Sequence, residues 1–179
     1  MSTTTLTVWH YDTAMGAAAG EVRLKDLQQR GAVRVVDAIT VTWVPGAEWP
    51  HVGHLLRQGP ASIAKGTMLG ALAGTLFLTP VAGVDGGAEV AALAHRLRDT
   101  GIDQAFLEEA KRRLTPGTSA MLVLSSEADL EVVGEFVERG LARGDVRLMH
   151  ARLREGAPDA LRALIKSPSG GFGGIARSG

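Results

Sequence analysis

The chain has 179 residues, which suits one domain, or one domain with an appendage. Lys and Arg together number 19, as do Asp and Glu, so we expect no general attraction for nucleic acid or anionic lipid. The absence of Cys excludes disulfides, thiolate metal sites and cysteine nucleophiles. Residues 1–5 show no basic segment followed by an apolar one, which predicts a cytoplasmic protein.

The first forty-odd residues carry the pattern of a strand, a helix and a second strand. Thr5–Tyr11 alternates between apolar and polar positions, and Val33–Val44 is rich in β-branched residues, so both segments are predicted strands. Between them, the predicted inner face of a helix consists of four residues at helical spacing: Ala17, Gly20, Leu24 and Leu27. Asp12 and Thr13 are candidate N-caps, and Gly31 is a typical C-terminal stop.

The C-terminal half repeats this order. Ser119–Leu124 is almost wholly apolar, as a central strand should be, and Asp145–Leu153 alternates as a second strand. Between them, Ser126 and Asp129 resemble a capping box. The face of the helix that follows is predicted to contain Leu130, Val133, Phe136 and Leu141. Pro158–Ile165 is predicted to be a short closing helix.

Two β-α-β units predict an α+β fold, a ferredoxin-like sandwich. We expect a single α/β domain over residues 1–166, with a Gly-rich helical hairpin inserted at about residues 59–113. Residues 167–179 are rich in Gly and Ser and lack periodicity, which predicts a disordered tail.

The insertion contains an uncharged segment, Thr67–Val84, whose length alone is typical of a membrane span. Pro80 leaves about 13 helical residues before it, roughly 20 Å, against a hydrocarbon core of about 30 Å. A single crossing would also place the two β-α-β units on opposite sides of the membrane. The second segment of the insertion, Gly83–Arg98, is a poor second span because it contains Glu89, His95, Arg96 and Arg98.

Small residues recur at every fourth position of the insertion, at Ser62, Gly66, Gly70 and Gly74. On a helix they would line one face, and each interior Gly costs about 1 kcal/mol relative to Ala. Close approach of another helix would offset this cost. The partner is either Ala88–Leu97 of the same chain or the same helix of another subunit, and insertion of the segment into a membrane is the third alternative.

Three polar residues are candidate ligand contacts. His10 and His150 lie in predicted strands of the two units, where they could meet across a sheet. Asp37 interrupts an apolar strand face, which indicates a β-bulge, a hydrogen bond to a turn, or a ligand contact. His51 and His54 have metal-ligand spacing on a helix, but they lack a third ligand and are interpreted as a loop pair.

The remaining candidates for catalysis have structural explanations. Ser125 and Ser126 follow a central strand, but without a Gly-x-Ser-x-Gly turn they are interpreted as helix-capping residues. Gly83–Gly87 lacks the Lys-Ser/Thr pair of a phosphate-binding loop. We therefore predict no catalytic residue, no metal and no cofactor.

The chain resembles a bacterial family, domain of unknown function 1269. The resemblance is carried by DTGIDQAF at Asp99–Phe106, LTPGTSAMLVL at Leu114–Leu124, LTVWHYDT at Leu6–Thr13, and Asp37-Ala38. It spans roughly Thr4 to Leu153. Members are often labelled membrane proteins because of a Gly/Ala-rich middle, whereas this chain has a charged second insertion segment. The resemblance implies no activity and transfers no catalytic residue.

Together these observations predict a non-enzymatic protein that forms homo-oligomers and does not bind nucleic acid. The Gly-rich insertion would pack subunits together, or dock on a partner or peripherally on a membrane. The alternative is a small-molecule binding or catalytic module on the sheet face, with His10, Asp37 and His150 as its polar groups.

Overall fold

The computed structural model describes residues 4–55, 67–78, 86–126, 129–141 and 146–166. The described strands are β1 (Thr4–Tyr11), β2 (Arg34–Thr42), β3 (His51–His54), β4 (Ser119–Ser126) and β5 (Val146–Arg152). The described helices are α1 (Gly16–Gln29), α2 (Met68–Phe77), α3 (Gly86–Arg96), α4 (Gln104–Arg113), α5 (Leu130–Leu141) and α6 (Ala157–Lys166). The predicted tail at 167–179 lies outside the described residues.

The strands form one five-stranded sheet in the order β3-β2-β4-β1-β5, and every neighbouring pair is antiparallel. The sheet and its helices confirm the α+β class, and all four predicted strands are present as β1, β2, β4 and β5. The interpretation of His51 and His54 as loop residues is wrong, because both belong to the short edge strand β3.

Helices cover both faces of the sheet. α1 and α5 share a core cluster with Trp9 and Tyr11, which point to one side of β1. α2, α3, α4 and α6 share a second cluster with Leu6 and Val8, which point to the other side. We call these the α1 face and the α2 face. Because both faces are covered, the strand at the centre of the sheet, β4, is buried along almost its whole length, as its apolar sequence predicts.

The segment between the two halves of the chain is part of the core. Leu69, Leu72 and Leu76 of α2 are buried in the cluster that contains the sheet residues of the α2 face. α2 contacts α3, α4 and α6, and α3 contacts α4. Within the described residues, no helix combines the length and the apolar character that a membrane crossing requires.

The prediction for α1 is confirmed in its inner face and its end. The buried residues of the helix are Ala17, Gly20, Leu24 and Leu27. Gly31 follows with φ +71°, a left-handed conformation that favours glycine and ends the helix.

The start of α1 differs from the prediction. Met15 occupies the N-cap position without a side-chain cap, so Asp12 and Thr13 are not the caps. Instead, the Ser119 hydroxyl at the start of β4 accepts a hydrogen bond from the Ala17 N–H (3.0 Å) and donates one to the Thr13 carbonyl (2.7 Å). A strand residue distant in sequence therefore caps this helix.

We expect Ser119→Ala to lower the free energy of unfolding by about 1–2 kcal/mol, because it leaves the buried Ala17 N–H without an acceptor. Urea unfolding followed by tryptophan fluorescence measures this loss. Ser126→Ala at the other end of β4 is the matched control, with an expected change within about 0.5 kcal/mol. Equal losses in the two variants would contradict the capping role of Ser119.

The start of α5 also differs from the prediction. Asp129, not Ser126, caps the helix: its Oδ1 accepts hydrogen bonds from the N–H groups of Glu131 (3.1 Å) and Val132 (3.2 Å). Of the predicted helix face, Val133 is buried. The side chains of its other members, Leu130, Phe136 and Leu141, lie outside the described residues.

Candidate functional site

Asp37 lies at an irregularity in β2. The pairing of β2 with β4 shifts between Val35 and Asp37, which marks a β-bulge. The bulge explains why Val35 packs on the α1 face whereas Asp37 and Ile39 point to the α2 face. The sequence pattern placed all three on one face, because strict alternation makes no allowance for an extra residue.

The carboxylate of Asp37 holds the start of α2. Its side chain is buried, and Oδ2 accepts a hydrogen bond from the N–H of Leu69 at 2.9 Å. The next N–H, of Gly70, donates to Oγ1 of the N-cap residue Thr67 at 3.0 Å. The first N–H groups of a helix lack partners within it and favour a nearby negative charge. Asp37 thus has a structural partner, at the start of a helix and not in a turn as the sequence indicated.

His10 and His150 lie on opposite faces of the sheet. His10 follows Val8 on the α2 face of β1. His150 pairs with Thr7 in β5, on the α1 face, and is exposed. The structure therefore does not bring the two histidines together.

Asp37 shares a face with His10 but lies far from it. Through β4, His10 is level with Ala120 and Asp37 is level with Leu124. That offset of four residues corresponds to about 13 Å along the strands. The three polar candidates therefore do not gather in one cleft.

His10 is a buried polar residue without hydrogen bonds. It is 4% exposed, and neither ring nitrogen has a hydrogen-bond partner among the described residues. Burial, and to a smaller extent the positive charge of Arg113, lower the pKa of His10 from 6.5 to about 4, while the negative charge of Asp12 partly opposes them. The imidazole is neutral at physiological pH.

The predicted small-residue face divides into three parts. Ser62 and Gly66 lie outside the described residues. Gly70 is buried in the first turns of α2. Gly74 is half-buried, and no described atom lies within 4 Å of the position that a Cβ would occupy. Within the described part of α2, therefore, Gly70 and Gly74 do not share one environment.

Two glycines of α1 make a close contact with an aromatic ring. A Cβ at Gly16 would lie 2.6 Å from Cγ of Tyr11, and one at Gly20 would lie 2.8 Å from Cζ of the same ring. The ring of Tyr11 therefore crosses α1 where two side chains are absent. The spacing of four residues was visible in the sequence, but only the fold shows that an aromatic ring lies there.

The DTGIDQAF segment connects α3 to α4 and ties that connection to the end of β5. Thr100 Oγ1 donates to the carbonyl of Leu97 (2.6 Å) and accepts from the N–H of Ile102 (3.2 Å). The carbonyl of Thr100 accepts from the N–H of Arg154 at 2.8 Å. These bonds form a tight turn between two helices.

Gly101 and Asp103 of this segment have distinct structural roles. Gly101 has φ +94°, and a Cβ there would lie 3.2 Å from the carbonyl carbon of Arg152 and would overlap its oxygen. Asp103 is the N-cap of α4, and its Oδ1 accepts from the N–H of Phe106 at 2.8 Å. Backbone geometry therefore explains Gly101, helix capping explains Asp103, and Ile102 between them is buried in the core.

The LTPGTSAMLVL segment begins with a turn that leads into β4 and is hydrogen-bonded to Trp43, just after the end of β2. Thr118 Oγ1 accepts from the N–H of Thr115 (2.9 Å) and donates to its carbonyl (2.7 Å). Gly117 has φ +90°, and its N–H donates to the carbonyl of Trp43 at 2.7 Å. The rest of the segment is the buried strand β4. Both segments thus have clear structural functions.

The two histidines with metal-ligand spacing lie on a strand. His51 and His54 are three residues apart in β3, so their side chains point to opposite faces. Over the described residues, no group of three or more His, Asp or Glu side chains is arranged to hold a metal ion.

Comparison with known proteins gives one family. A family model described as "Protein of unknown function (DUF1269)" matches residues 63–166, more than half of the chain. The match includes both segments described above and the helices α2 to α6. No curated protein and no solved structure matches the chain. The chain therefore belongs to the DUF1269 family.

Proposed function

We propose that the protein is non-enzymatic and self-associating, and that the outer side of α2 forms the contact between subunits. The observation that carries this proposal is the lack of charge on α2, a helix in the outer layer of the fold. Its residues that are only partly buried, with the exposed Leu78 after its end, form a set that we call the α2 strip: Met68, Ala71, Gly74, Thr75 and Leu78. Met68 and Ala71 also pack partly on the core.

An outer helix normally carries polar side chains on the side away from the core. The α2 strip has one polar side chain, Thr75, and its hydroxyl donates to the carbonyl of Ala71 at 2.9 Å. Burial of the strip would therefore not leave the Thr75 hydroxyl without a hydrogen bond. This composition supports burial of the strip against another apolar surface.

Gly74 supports contact with a second copy. A glycine inside a helix costs about 1 kcal/mol relative to Ala, and no described atom occupies the space above it. Packing among the described residues thus gives no reason for a glycine there. Small residues allow two helices to approach closely, so an α2–α2 contact at Gly74 accounts for this position.

The strand order supports a ferredoxin-like sandwich as the body of this protein. Without the edge strand β3, the order is β2-β4-β1-β5, and each half of the chain contributes a strand, a helix and a strand. The separation of His10, Asp37 and His150 favours the non-enzymatic reading over a small-molecule site on the sheet.

Gly74→Leu tests the proposal. In the described structure the new side chain enters open space and improves helix propensity, so we expect an unchanged fold by circular dichroism. At a subunit contact it would force two backbones apart, at a cost of about 1–3 kcal/mol per contact. Light scattering should therefore give a wild-type mass that is a multiple of 18.7 kDa and a mass nearer the monomer for Gly74→Leu.

Gly134→Leu is the matched control, because Gly134 also lies within a helix, α5, with no described atom within 4 Å of its Cβ position. This variant should keep the wild-type mass. A monomeric wild-type protein would contradict self-association. If that monomer sedimented with phosphatidylcholine vesicles and Gly74→Arg abolished the sedimentation, the strip would be a membrane-docking surface instead.

A further inference from the structure

A buried imidazole lies on the sheet face that α2, α3, α4 and α6 cover. His10 is the second-to-last residue of β1 and pairs with Ala120 at the start of β4. In the sequence, α4 ends at Arg113, shortly before β4 begins. Ala110 and Leu114 belong to the same core cluster as the neighbouring sheet residues. A buried polar group without a hydrogen bond costs about 1–3 kcal/mol and calls for an explanation.

The charged groups around His10 disfavour a second positive charge. α4 contributes Arg113, which is 30% exposed and paired with Glu109. β5 contributes Arg147, which is level with His10 on the same face. β4 contributes only the uncharged Ala120, and the acidic side chain of Asp12 beyond the end of β1 is exposed.

We propose that His10 makes the junction between α4 and the sheet sensitive to acid: protonation drives the imidazole out of the core and releases the C-terminal end of α4. The imidazolium would have two N–H donors and no acceptor among the described residues. It would also face Arg113, whose only described ion-pair partner, Glu109, is already engaged with Arg112 as well. Exposure to water removes both penalties, and we assign the movement to α4 because Arg113 is the last residue of that helix.

The direction of the pH effect follows from the lowered pKa of His10, about 4 in the folded protein against 6.5 when it is free. Between these values the open state binds more protons than the closed state. The closed state is therefore favoured fully above pH 6.5 and progressively less as the pH falls towards 4. From these pKa values, the opening constant should rise about 30-fold between pH 8 and pH 5.

Hydrogen exchange followed by mass spectrometry tests the proposal on the full chain. After correction for intrinsic exchange rates, amides of α4 should open about 30-fold more at pH 5 than at pH 8, while β4 amides stay protected. His10→Leu should remove this pH dependence, and the matched control His150→Leu, at an exposed position of the same sheet, should keep it. Equal pH dependence in all three proteins, or a uniform rise across the chain, would overturn the proposal.

A proton NMR titration of the wild-type imidazoles provides a readout that needs no variant. The Hε1 signal of His10, assigned from its absence in His10→Leu or by backbone correlation, should not shift between pH 8 and pH 5.5. A midpoint near 6.5 for that signal would show that the imidazole reaches water in the folded protein. His10 would then not make the junction between α4 and the sheet sensitive to acid.

Discussion

Gly101→Ala is expected to lower the free energy of unfolding by about 3–5 kcal/mol, although it adds a single methyl group. Two effects act at once. The residue has φ +94°, which is strained for any L side chain, and the added Cβ would overlap the carbonyl oxygen of Arg152. That oxygen belongs to the backbone at the end of β5, so it cannot move by a change of rotamer. Urea unfolding at pH 7.5 measures the loss.

Gly31→Ala separates the two effects. Gly31 has φ +71°, but no described atom lies within 4 Å of its Cβ position. The variant should therefore show the conformational strain alone, about 1–2 kcal/mol. If Gly101→Ala is no more destabilising than Gly31→Ala, the close approach to Arg152 contributes nothing to the loss in the free energy of unfolding.

Asp37→Ala is expected to lower the free energy of unfolding by about 2–4 kcal/mol. It removes a charged acceptor from the first turn of α2 and leaves the buried N–H of Leu69 without a partner. Because α2 is held to the sheet at this point, amides at the start of α2 should lose protection from hydrogen exchange before those of β4. Asp37→Asn retains an oxygen acceptor and should lie between the wild type and Asp37→Ala in stability.

Asp103→Ala is the comparison for Asp37→Ala. Asp103 also accepts a hydrogen bond from the first turn of a helix, α4, but it is exposed and close in sequence to its partner Phe106. Water can replace it, so the expected loss is about 1 kcal/mol. Similar losses in the two variants would mean that burial adds nothing to the capping by Asp37.

Local periodicity of the sequence was sufficient to predict most of the described helices and strands. The inner face of α1 and the strands β1, β4 and β5 follow from patterns within a dozen residues, because side-chain direction repeats every 3.6 residues in a helix and every two in a strand. β3 was missed because four residues, including a glycine and two histidines, are too few to show alternation. Its pairing with β2 is what makes it a strand.

The candidate site shows where such patterns stop being informative. Asp37 was recognised as an exception within an apolar strand, and the possible reasons included the bulge that the structure shows. Its hydrogen bond goes to the first turn of a helix and not to a turn between elements. Its partner Leu69 could not be named, since nothing in the spacing of the sequence relates a strand residue to the start of a later helix. His10 and His150 seemed able to meet, but the side of a strand on which each lies depends on the register of pairing.

The sequence by itself determined the α+β class, the order of most helices and strands, and membership of the family through two short segments. Tertiary structure decided which face each strand presents, that α2 packs on the sheet, and that Ser119 and Asp37 cap helices distant in the chain. It also decided which glycines need to be glycine, since Gly16 and Gly20 adjoin Tyr11 while Gly74 adjoins open space in the described structure. The physical reason is that hydrophobic periodicity is a local property of the chain, whereas capping, close approach and burial depend on groups that only folding brings within a few ångströms of each other.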